Sequence, residues 1–358
     1  MKRKHLSILI AVLSVLALLI VGAVIYSLVP PKKTGEGLVF ELSADKQSYV
    51  VADMENHWAR AVVVPAEHQG KPVTIIGAYA FQNCWRLESI DLPDTIEMIH
   101  SGAFKDCGRL REILLPDAVD SIGARAFYGC TGLNSISIPA GAQIQIEAFA
   151  GCTNIKNATL PTDALGAIPS EKLESVVLNG GDHIHERSFM GYKSLREVTI
   201  ASSVKSIEHM AFNGCEKLEG VYIEDLAAWC AIEFAESDAN PLRFAKALYL
   251  NGEKVTSLVI PEGVSRIAPR AFDGCTSIKS VALPTSLTEI GDHAFRGTGI
   301  AVIELGEDIE SVGKYVFYNC KNLTDIYVAA PAVPNTWSAT WKDGTTAKLH
   351  FGENQPTA

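Results

Sequence analysis

Eight cysteines are the residues of this 358-residue chain that most readily suggest chemistry. Thiols can form disulfides or hold a metal ion. Identical positions in a repeated pattern predict a column of parallel, buried side chains, whereas a disulfide also needs Cβ atoms that converge. We therefore expect mainly structural thiols, with disulfides and a metal site as alternatives. Seven of the eight stand three residues after a recurring Phe: Cys84, Cys107, Cys130, Cys152, Cys215, Cys275 and Cys320.

Other signals of catalysis or metal binding are weaker. His183 and His185 are closely spaced, but Ile184 between them occupies an apolar position of the repeat, so a surface or packing role is favoured over a metal site. No metalloprotease, nucleophile-elbow, phosphate-loop or dinucleotide motif stands in a suitable context. We expect no catalytic residue, no cofactor and no metal, and hence no enzyme.

A repeat of 22 or 23 residues positions these groups. Each Phe follows an Ile or Val by five residues and, in most copies, precedes an L-x-x-I-x-L pattern by six. The last two apolar positions of that pattern alternate with polar residues, which indicates a half-buried strand. One unit cannot bury its apolar side alone, so the sequence predicts about eleven stacked turns, with short parallel strands and a short helical turn at each Ala-Phe pair. The repeat phenylalanines are Phe81, Phe104, Phe127, Phe149, Phe189, Phe212, Phe272, Phe295 and Phe317.

Two longer spacings interrupt the repeat. The first holds a shortened unit, LESVVL at 173–178, and the second holds an insert at 224–254. In the insert we expect a helical turn capped by Asp225, a second turn starting at Asn240-Pro241, and a hairpin at Asn251-Gly252. Trp229 is expected to seal the insert, while Trp337 and Trp341 cap the last turn; the alternative is that these rings are exposed and contribute to binding.

The repeat resembles the BspA-like leucine-rich repeats of bacterial surface proteins, which have the form I-G-x-x-A-F-x-x-C-x-x-L-x-x-I-x-L-P. The segment IGARAFYGCTGLNSISIP at Ile122–Pro139 is an example, and the resemblance covers roughly residues 60–330. It implies a leucine-rich-repeat solenoid of the α/β repeat class that serves as an extracellular binding or adhesion scaffold without a catalytic site. The expected organisation is an N-terminal cap at 38–75, a solenoid at 76–330 and a C-terminal cap and tail at 331–358.

The N-terminus predicts the compartment. An uncharged run at 6–29 is long enough for a transmembrane signal anchor, and basic residues at 2–4 place the 1–5 tip in the cytoplasm, followed by a linker at 30–37. The alternative is a cleaved signal peptide and a secreted protein. Either way the repeats are expected outside the cell, and the net charge of −10 argues against nucleic-acid binding.

Solenoids present extended repeated surfaces, so the outward strand positions are the candidate binding face. The expected partner is an extracellular protein or glycan of unknown identity. A structural envelope scaffold without a specific ligand is the alternative, although the variety of outward residues favours binding. The candidate residues are Asp91, Glu112, Ser137, Thr159, Thr199, Tyr222 and Tyr327.

Overall fold

The computed structural model describes residues 35–169 and 171–352. The predicted cytoplasmic tip at 1–5 and signal anchor at 6–29 lie outside the described residues. Within the described ranges, no helix is long and apolar enough to cross a membrane.

Five strands precede the first complete repeat. Strands β1 and β2 pair antiparallel, as do β4 and β5, whereas β2 and β5 pair in parallel and so begin the stack. The five are β1 (Leu38–Leu42), β2 (Tyr49–Met54), β3 (Ala61–Val63), β4 (Glu67–His68) and β5 (Lys71–Ile76).

The first group of repeats continues with strands of two to four residues. A 3-10 helix at Thr162–Ala167 interrupts it and precedes the shortened unit at 173–178. The strands are β6 (Ser89–Asp91), β7 (Met98–Ile99), β8 (Glu112–Ile113), β9 (Ser121–Ile122), β10 (Ser135–Ser137), β11 (Gln143–Ile144), β12 (Asn157–Leu160), β13 (Ser175–Leu178), β14 (His183–Ile184), β15 (Glu197–Thr199), β16 (Ser206–Ile207) and β17 (Gly220–Ile223).

The insert and the second group of repeats complete the chain. The insert contains α-helices at Leu226–Ala231 and Leu242–Ala245, a 3-10 helix at Ser237–Ala239, and three strands: β18 (Glu233–Phe234), β19 (Leu248–Leu250) and β20 (Glu253–Lys254). The remaining strands are β21 (Ser257–Val259), β22 (Arg266–Ile267), β23 (Ser280–Ala282), β24 (Glu289–Ile290), β25 (Val302–Leu305), β26 (Ser311–Val312), β27 (Asp325–Val328) and β28 (Lys348–Phe351).

The predicted parallel stacking of the I-x-L strands is confirmed, and a second set of parallel strands accompanies it. The second set is built on the Ile that precedes each Phe: Ile76, Ile99, Ile122 and Ile144 pair in register. The stack has about 13 turns rather than about eleven. The difference arises because the flanking segments also join the stack: β3 pairs with β6, and β28 pairs with β27.

The predicted helical turn at each Ala-Phe pair is wrong, because consecutive tight turns occupy this segment. The residues two before and two after the Phe have positive φ, as at Arg125 (57°) and Gly129 (74°), which an α-helix does not allow. Alternate N–H groups point to the neighbouring turn instead: Phe127 donates to Ala148 O at 2.7 Å. The second residue after the Phe is therefore Gly, Asn or Asp in every copy, since these residues best tolerate the left-handed conformation.

Among the described residues, the core contains three stacks of phenylalanine rings between the strands and the turns, interrupted at the shortened unit and at the insert. Phe81, Phe104, Phe127 and Phe149 are buried and stacked, with successive ring centroids 5.1, 5.1 and 5.0 Å apart. The last stack ends at Phe317, which is covered by Trp341, whose ring meets that of Phe317 edge-on at 6.0 Å. The predicted capping role of the C-terminal tryptophans is thereby confirmed.

The local predictions for the insert are also confirmed. Asp225 Oδ1 accepts the N–H of Ala228 at 3.0 Å, and Asn240 Oδ1 accepts that of Leu242 at 2.9 Å. β19 and β20 form the antiparallel hairpin around Asn251. Trp229 is buried, as expected of a residue that seals the insert.

Candidate functional site

The cysteines are placed as structural thiols. All eight are free and buried. The Sγ atoms of Cys107, Cys130 and Cys152 each donate at 3.1 Å to the carbonyl of the repeat Phe in the preceding turn. Burial raises the pKa of Cys84 and Cys230 to about 12, so neither is a nucleophile at neutral pH. Across residues 35–169 and 171–352, no group of three His, Cys, Asp or Glu residues is arranged to hold a metal ion.

The two closely spaced histidines lie on the surface. Ile184 is fully buried in the isoleucine column, while His183 and His185 are exposed on either side of it. His183 Nδ1 lies 2.6 Å from Ser206 Oγ, and His185 lies 3.4 Å from Asp163 and 3.6 Å from Glu208. These contacts fit the surface role that the sequence favours.

The sequence-predicted binding residues lie on the solvent side of the I-x-L strands, which we call the strand face. Ser137, Thr159, Thr199 and Tyr222 belong to one row, in which each residue aligns with its counterpart on the next strand. The register arises because side chains alternate between core and solvent and the parallel strands stack without offset. The row also contains Val177 and Tyr249, and Leu114 is bridged to Ser137.

The other three candidates occupy different parts of the same face. Glu112 lies on β8, and Asp91 lies on the neighbouring β6. Tyr327 lies on β27, within the separate three-stranded sheet β25–β27–β28. The structure therefore brings four of the seven candidates into one row, with two others close to its beginning and Tyr327 apart.

A shallow depression of about 270 Å³ lies over β8, β10, β12 and β13. Its apolar members include Leu114, which is 77% exposed. Because exposed aliphatic residues stand among hydroxyl, amide and carboxyl groups, the depression offers both apolar contact and hydrogen bonds. The lining residues are Glu112, Ile113, Leu114, Ser135, Ile136, Ser137, Asn157, Ala158, Thr159, Ser175 and Val177.

Two tyrosines continue the row beyond the depression. The rings of Tyr222 and Tyr249 are stacked with centroids 4.5 Å apart and an interplanar angle of 16°. Gly220 makes room for them, since a Cβ there would lie 2.8 Å from the Tyr222 ring. The Tyr222 hydroxyl donates to Glu197 Oε1 at 3.3 Å. Burial first, and then the charge of Glu197, raises the pKa of Tyr222, so its hydroxyl remains a donor at neutral pH.

A second stacked pair lies near the C-terminal end of the strand face. The rings of Tyr327 and His350 are 4.5 Å apart, and His350 Nε2 lies 2.9 Å from Asp325 Oδ1. Hydrogen bonds from Thr324 first, and then from His350, lower the pKa of Asp325. The hairpin of β19 and β20 separates this pair from Tyr222 and Tyr249, so the two pairs are distinct.

Sequence reasoning missed several residues of the strand face, among them Val177, Tyr249 and His350. Val177 could have been found by applying the alternation to the shortened unit. Tyr249 could have been found by treating LYL at 248–250 as a repeat strand, which its register with Tyr222 shows it to be. His350 carries no repeat signal, because β28 follows a C-terminal segment that lacks the Phe-x-x-Cys pattern.

The stacked strands, the phenylalanine stacks and the exposed strand face define a leucine-rich-repeat solenoid. The sequence matches the family described as BspA type leucine rich repeat region, in six copies, over residues 74–178, 167–230 and 244–334. The chain therefore belongs to this family. A search of curated proteins gives no match.

Three solved structures are similar to this chain. One is a T. pallidum leucine-rich-repeat protein, with 21% identity, 82% of this chain and 92% of that chain covered, and a TM-score of 0.31. A Bacteroides ovatus leucine-rich-repeat protein has 18% identity, coverage of 88% and 98%, and a TM-score of 0.34. A leucine-rich cell surface protein of Faecalibacterium prausnitzii has 22% identity, coverage of 92% and 97%, and a TM-score of 0.36.

Proposed function

We propose that this protein is an extracellular binding or adhesion protein that recognises a protein or glycan through its strand face. The stacked Tyr222–Tyr249 pair carries the proposal. The pair places two aromatic rings on the solvent side of a rigid sheet, beside the carboxylate of Glu197. Tyrosine is enriched among residues that dominate binding energy, since its ring packs on a partner while its hydroxyl forms hydrogen bonds.

The variety of the row supports binding over a structural envelope scaffold. Ser137, Thr159, Val177, Thr199 and Tyr222 occupy equivalent positions, yet they differ in size, polarity and hydrogen-bonding capacity. A spacer needs only a solvated face, for which any polar residue suffices. A face that recognises one partner needs different groups at different heights along the stack.

For localisation we propose a single-pass membrane protein anchored by 6–29, with a cytoplasmic N-terminus and extracellular repeats. The uncharged run and the basic residues before it support this arrangement. In fractionated cells the intact chain should be recovered with the membranes. In a separate experiment, protease added to intact cells should digest the repeats. Recovery of the repeats in the medium would instead support the secreted form.

Binding is tested with the full chain, purified in mild detergent, on protein and glycan arrays. In the double variant Tyr222→Thr, Tyr249→Thr, both rings are replaced by the residue that Thr159 and Thr199 already supply in the row, so folding should be retained. Loss of two central aromatic contacts should weaken binding of an identified partner by about tenfold or more.

The matched control is Tyr128→Ala, which removes an exposed tyrosine from the turn segment rather than the strand face. This variant should bind as the parent does. Absence of any specific partner on the arrays, or unchanged binding by the double variant, would favour the scaffold over the proposed recognition.

A further inference from the structure

Two exposed tryptophans meet near the N-terminal end of the solenoid, away from the strand face. Trp58 lies in the loop between β2 and β3, and Trp85 follows the first repeat cysteine. They are 64% and 44% exposed, and their rings meet edge-on with centroids 5.8 Å apart. The other three tryptophans of the described ranges, Trp229, Trp337 and Trp341, are all buried.

Arginines surround this pair. Arg86 Cζ lies 5.0 Å from the Trp58 ring centroid and 4.9 Å from that of Trp85, and Arg109 Cζ lies 5.7 Å from the Trp85 ring. The buried Nε of Arg86 has no hydrogen-bond partner. Within 35–169 and 171–352, Arg86, Arg109 and Arg111 form no ion pair, unlike Arg60, which lies 3.7 Å from Glu88. We call Trp58, Trp85, Arg86, Arg109 and Arg111 the Trp-Arg rim.

The rim borders a depression of about 580 Å³, lined by Glu88, Gly108, Arg109, Arg111, Gly132 and Asn134. Its floor lacks side chains at Gly108 and Gly132. A Cβ on Gly132 would come within 2.8 Å of Gly108 O, so the close approach of the two loops requires glycine there. The depression is therefore open and polar, with guanidinium groups and an amide available for hydrogen bonds.

We propose that the Trp-Arg rim binds an acidic glycan, meaning an oligosaccharide that carries carboxylate or sulfate groups. Guanidinium groups bind such anions through paired hydrogen bonds. Three arginines without carboxylate partners are a local excess of positive charge on a chain with a net charge of −10. The exposed tryptophan rings pack on the apolar face of a sugar, and the polar floor receives its hydroxyl groups.

The polar floor distinguishes a glycan from an acidic protein segment. A protein partner gains most of its affinity by inserting apolar anchors into desolvated pockets. The residues that line this depression are glycines or have charged or amide side chains. Arg111 and Asn134 directly precede Glu112 and Ser135 of the strand face, so the rim adjoins that face. The rim includes neither Tyr222 nor Tyr249, so the proposal does not depend on the proposed role of these two residues.

The repeat supplies substitutions that should preserve the fold. Trp85→Thr introduces the residue found at the same repeat position in Thr131 and Thr153. Arg109→Asn and Arg111→Asn likewise introduce the residues of Asn154 and Asn134. The full chain is titrated by calorimetry with hexagalacturonate, a chondroitin sulfate hexasaccharide, neutral maltohexaose and hexaglutamate. The strand-face double variant Tyr222→Thr, Tyr249→Thr is the matched control.

The parent should bind hexagalacturonate, the chondroitin sulfate hexasaccharide or both, more weakly at higher salt. Binding of hexagalacturonate shows that carboxylate groups suffice. Because the chondroitin sulfate hexasaccharide carries both carboxylate and sulfate groups, binding of it alone identifies sulfate as the required group. Arg109→Asn with Arg111→Asn should weaken binding by about tenfold or more, and Trp85→Thr by about tenfold. The strand-face variant should bind as the parent does.

Any one of five results would overturn the assignment. The first is that neither acidic glycan binds, and the second is that the rim variants bind as the parent does. The third is that maltohexaose binds equally well, which removes the role of charge. The fourth is that hexaglutamate binds equally well, which removes the role of the sugar. Loss of glycan binding in the strand-face variant alone would also count against the rim, because it would move the site to the other surface. Failure of the rim leaves the array experiment on the strand face unaffected.

Discussion

The regular repeats and the insert form consecutive turns of the same stack with different chemistry. In a regular repeat, Phe127 lies between Phe104 and Phe149, and Cys130 donates to the neighbouring carbonyl. In the insert, Trp229 Nε1 donates to Ala271 O at 2.9 Å, and Asn240 Nδ2 donates to Arg270 O at 2.6 Å.

This difference shows two ways to continue a solenoid. A regular turn presents the same ring and the same thiol to identical neighbours, so a residue from one repeat fits another. The insert has to satisfy the backbone of an adjacent regular turn with side chains that occur once. Its buried contacts therefore differ from those of a regular turn.

Trp229→Ala should give the largest effect. It removes a fully buried ring and its hydrogen bond to Ala271, and should lower the free energy of unfolding by about 3–5 kcal/mol, measured by urea denaturation. Trp229→Phe, which supplies the ring used by the regular repeats, should still be destabilised. Ala271 O loses its donor at 2.9 Å and keeps only the longer contact with Asn240 Nδ2 at 3.5 Å. If Trp229→Phe is as stable as the parent, the insert behaves as an ordinary repeat.

Asn240→Ala should lower the free energy of unfolding by about 1–3 kcal/mol in the same assay. The residue is fully buried, and its amide both caps the helix at Leu242–Ala245 and donates to Arg270 O. The control is Asn154→Ala in a regular repeat, whose amide donates to Thr131 O in an exposed setting. Its effect should stay within about 0.5 kcal/mol, and equal losses at the two sites would remove the distinction.

In the folded chain, thiol reactivity should be low in both regions. Because burial raises the pKa of Cys215 in a repeat and Cys230 in the insert to about 12, iodoacetamide at pH 8 should modify neither in the folded chain. All eight cysteines should react after denaturation in urea, as counted by mass spectrometry. Ser137→Cys, on the exposed strand face, is the positive control. Fewer than eight modified thiols in the denatured, non-reduced chain would indicate disulfides.

The smallest effect on stability is expected at Asp273, where the insert meets a regular repeat. Asp273 accepts a hydrogen bond from Ser237 of the insert and lies 3.7 Å from Arg296, yet burial raises its pKa above 3.8. The folded state therefore holds this proton more tightly than the unfolded state, and the contribution to stability falls as pH rises from 3.8 through the folded pKa.

Comparison with Asp273→Asn isolates this contribution. The unfolding free energy of the parent minus that of the variant should decrease as the pH rises from about 4 to 7. The difference is measured by urea denaturation at several pH values. A difference that increases with pH would show that Arg296 and Ser237 outweigh burial at this carboxyl.

The sequence alone determined the repeat, the buried columns and the side of each strand that faces solvent. Alternation decides the facing side, so Thr159, Thr199 and Tyr222 could be assigned to one face without coordinates. The helical turn was predicted wrongly because apolar spacing does not reveal backbone φ. The left-handed residues flanking each Phe turn alternate N–H groups toward the next unit, which only the stacked turns can satisfy.

Only the tertiary structure decided which residues meet across turns of unequal length. Tyr249 stacks on Tyr222 because the insert returns the chain to the strand register 27 residues later, a distance that is not a repeat spacing. Trp58 reaches Trp85 from a segment before the first complete repeat. Periodicity specifies contacts between equivalent positions. Contacts made by an irregular segment depend on the path of that segment through space, which the repeat does not encode.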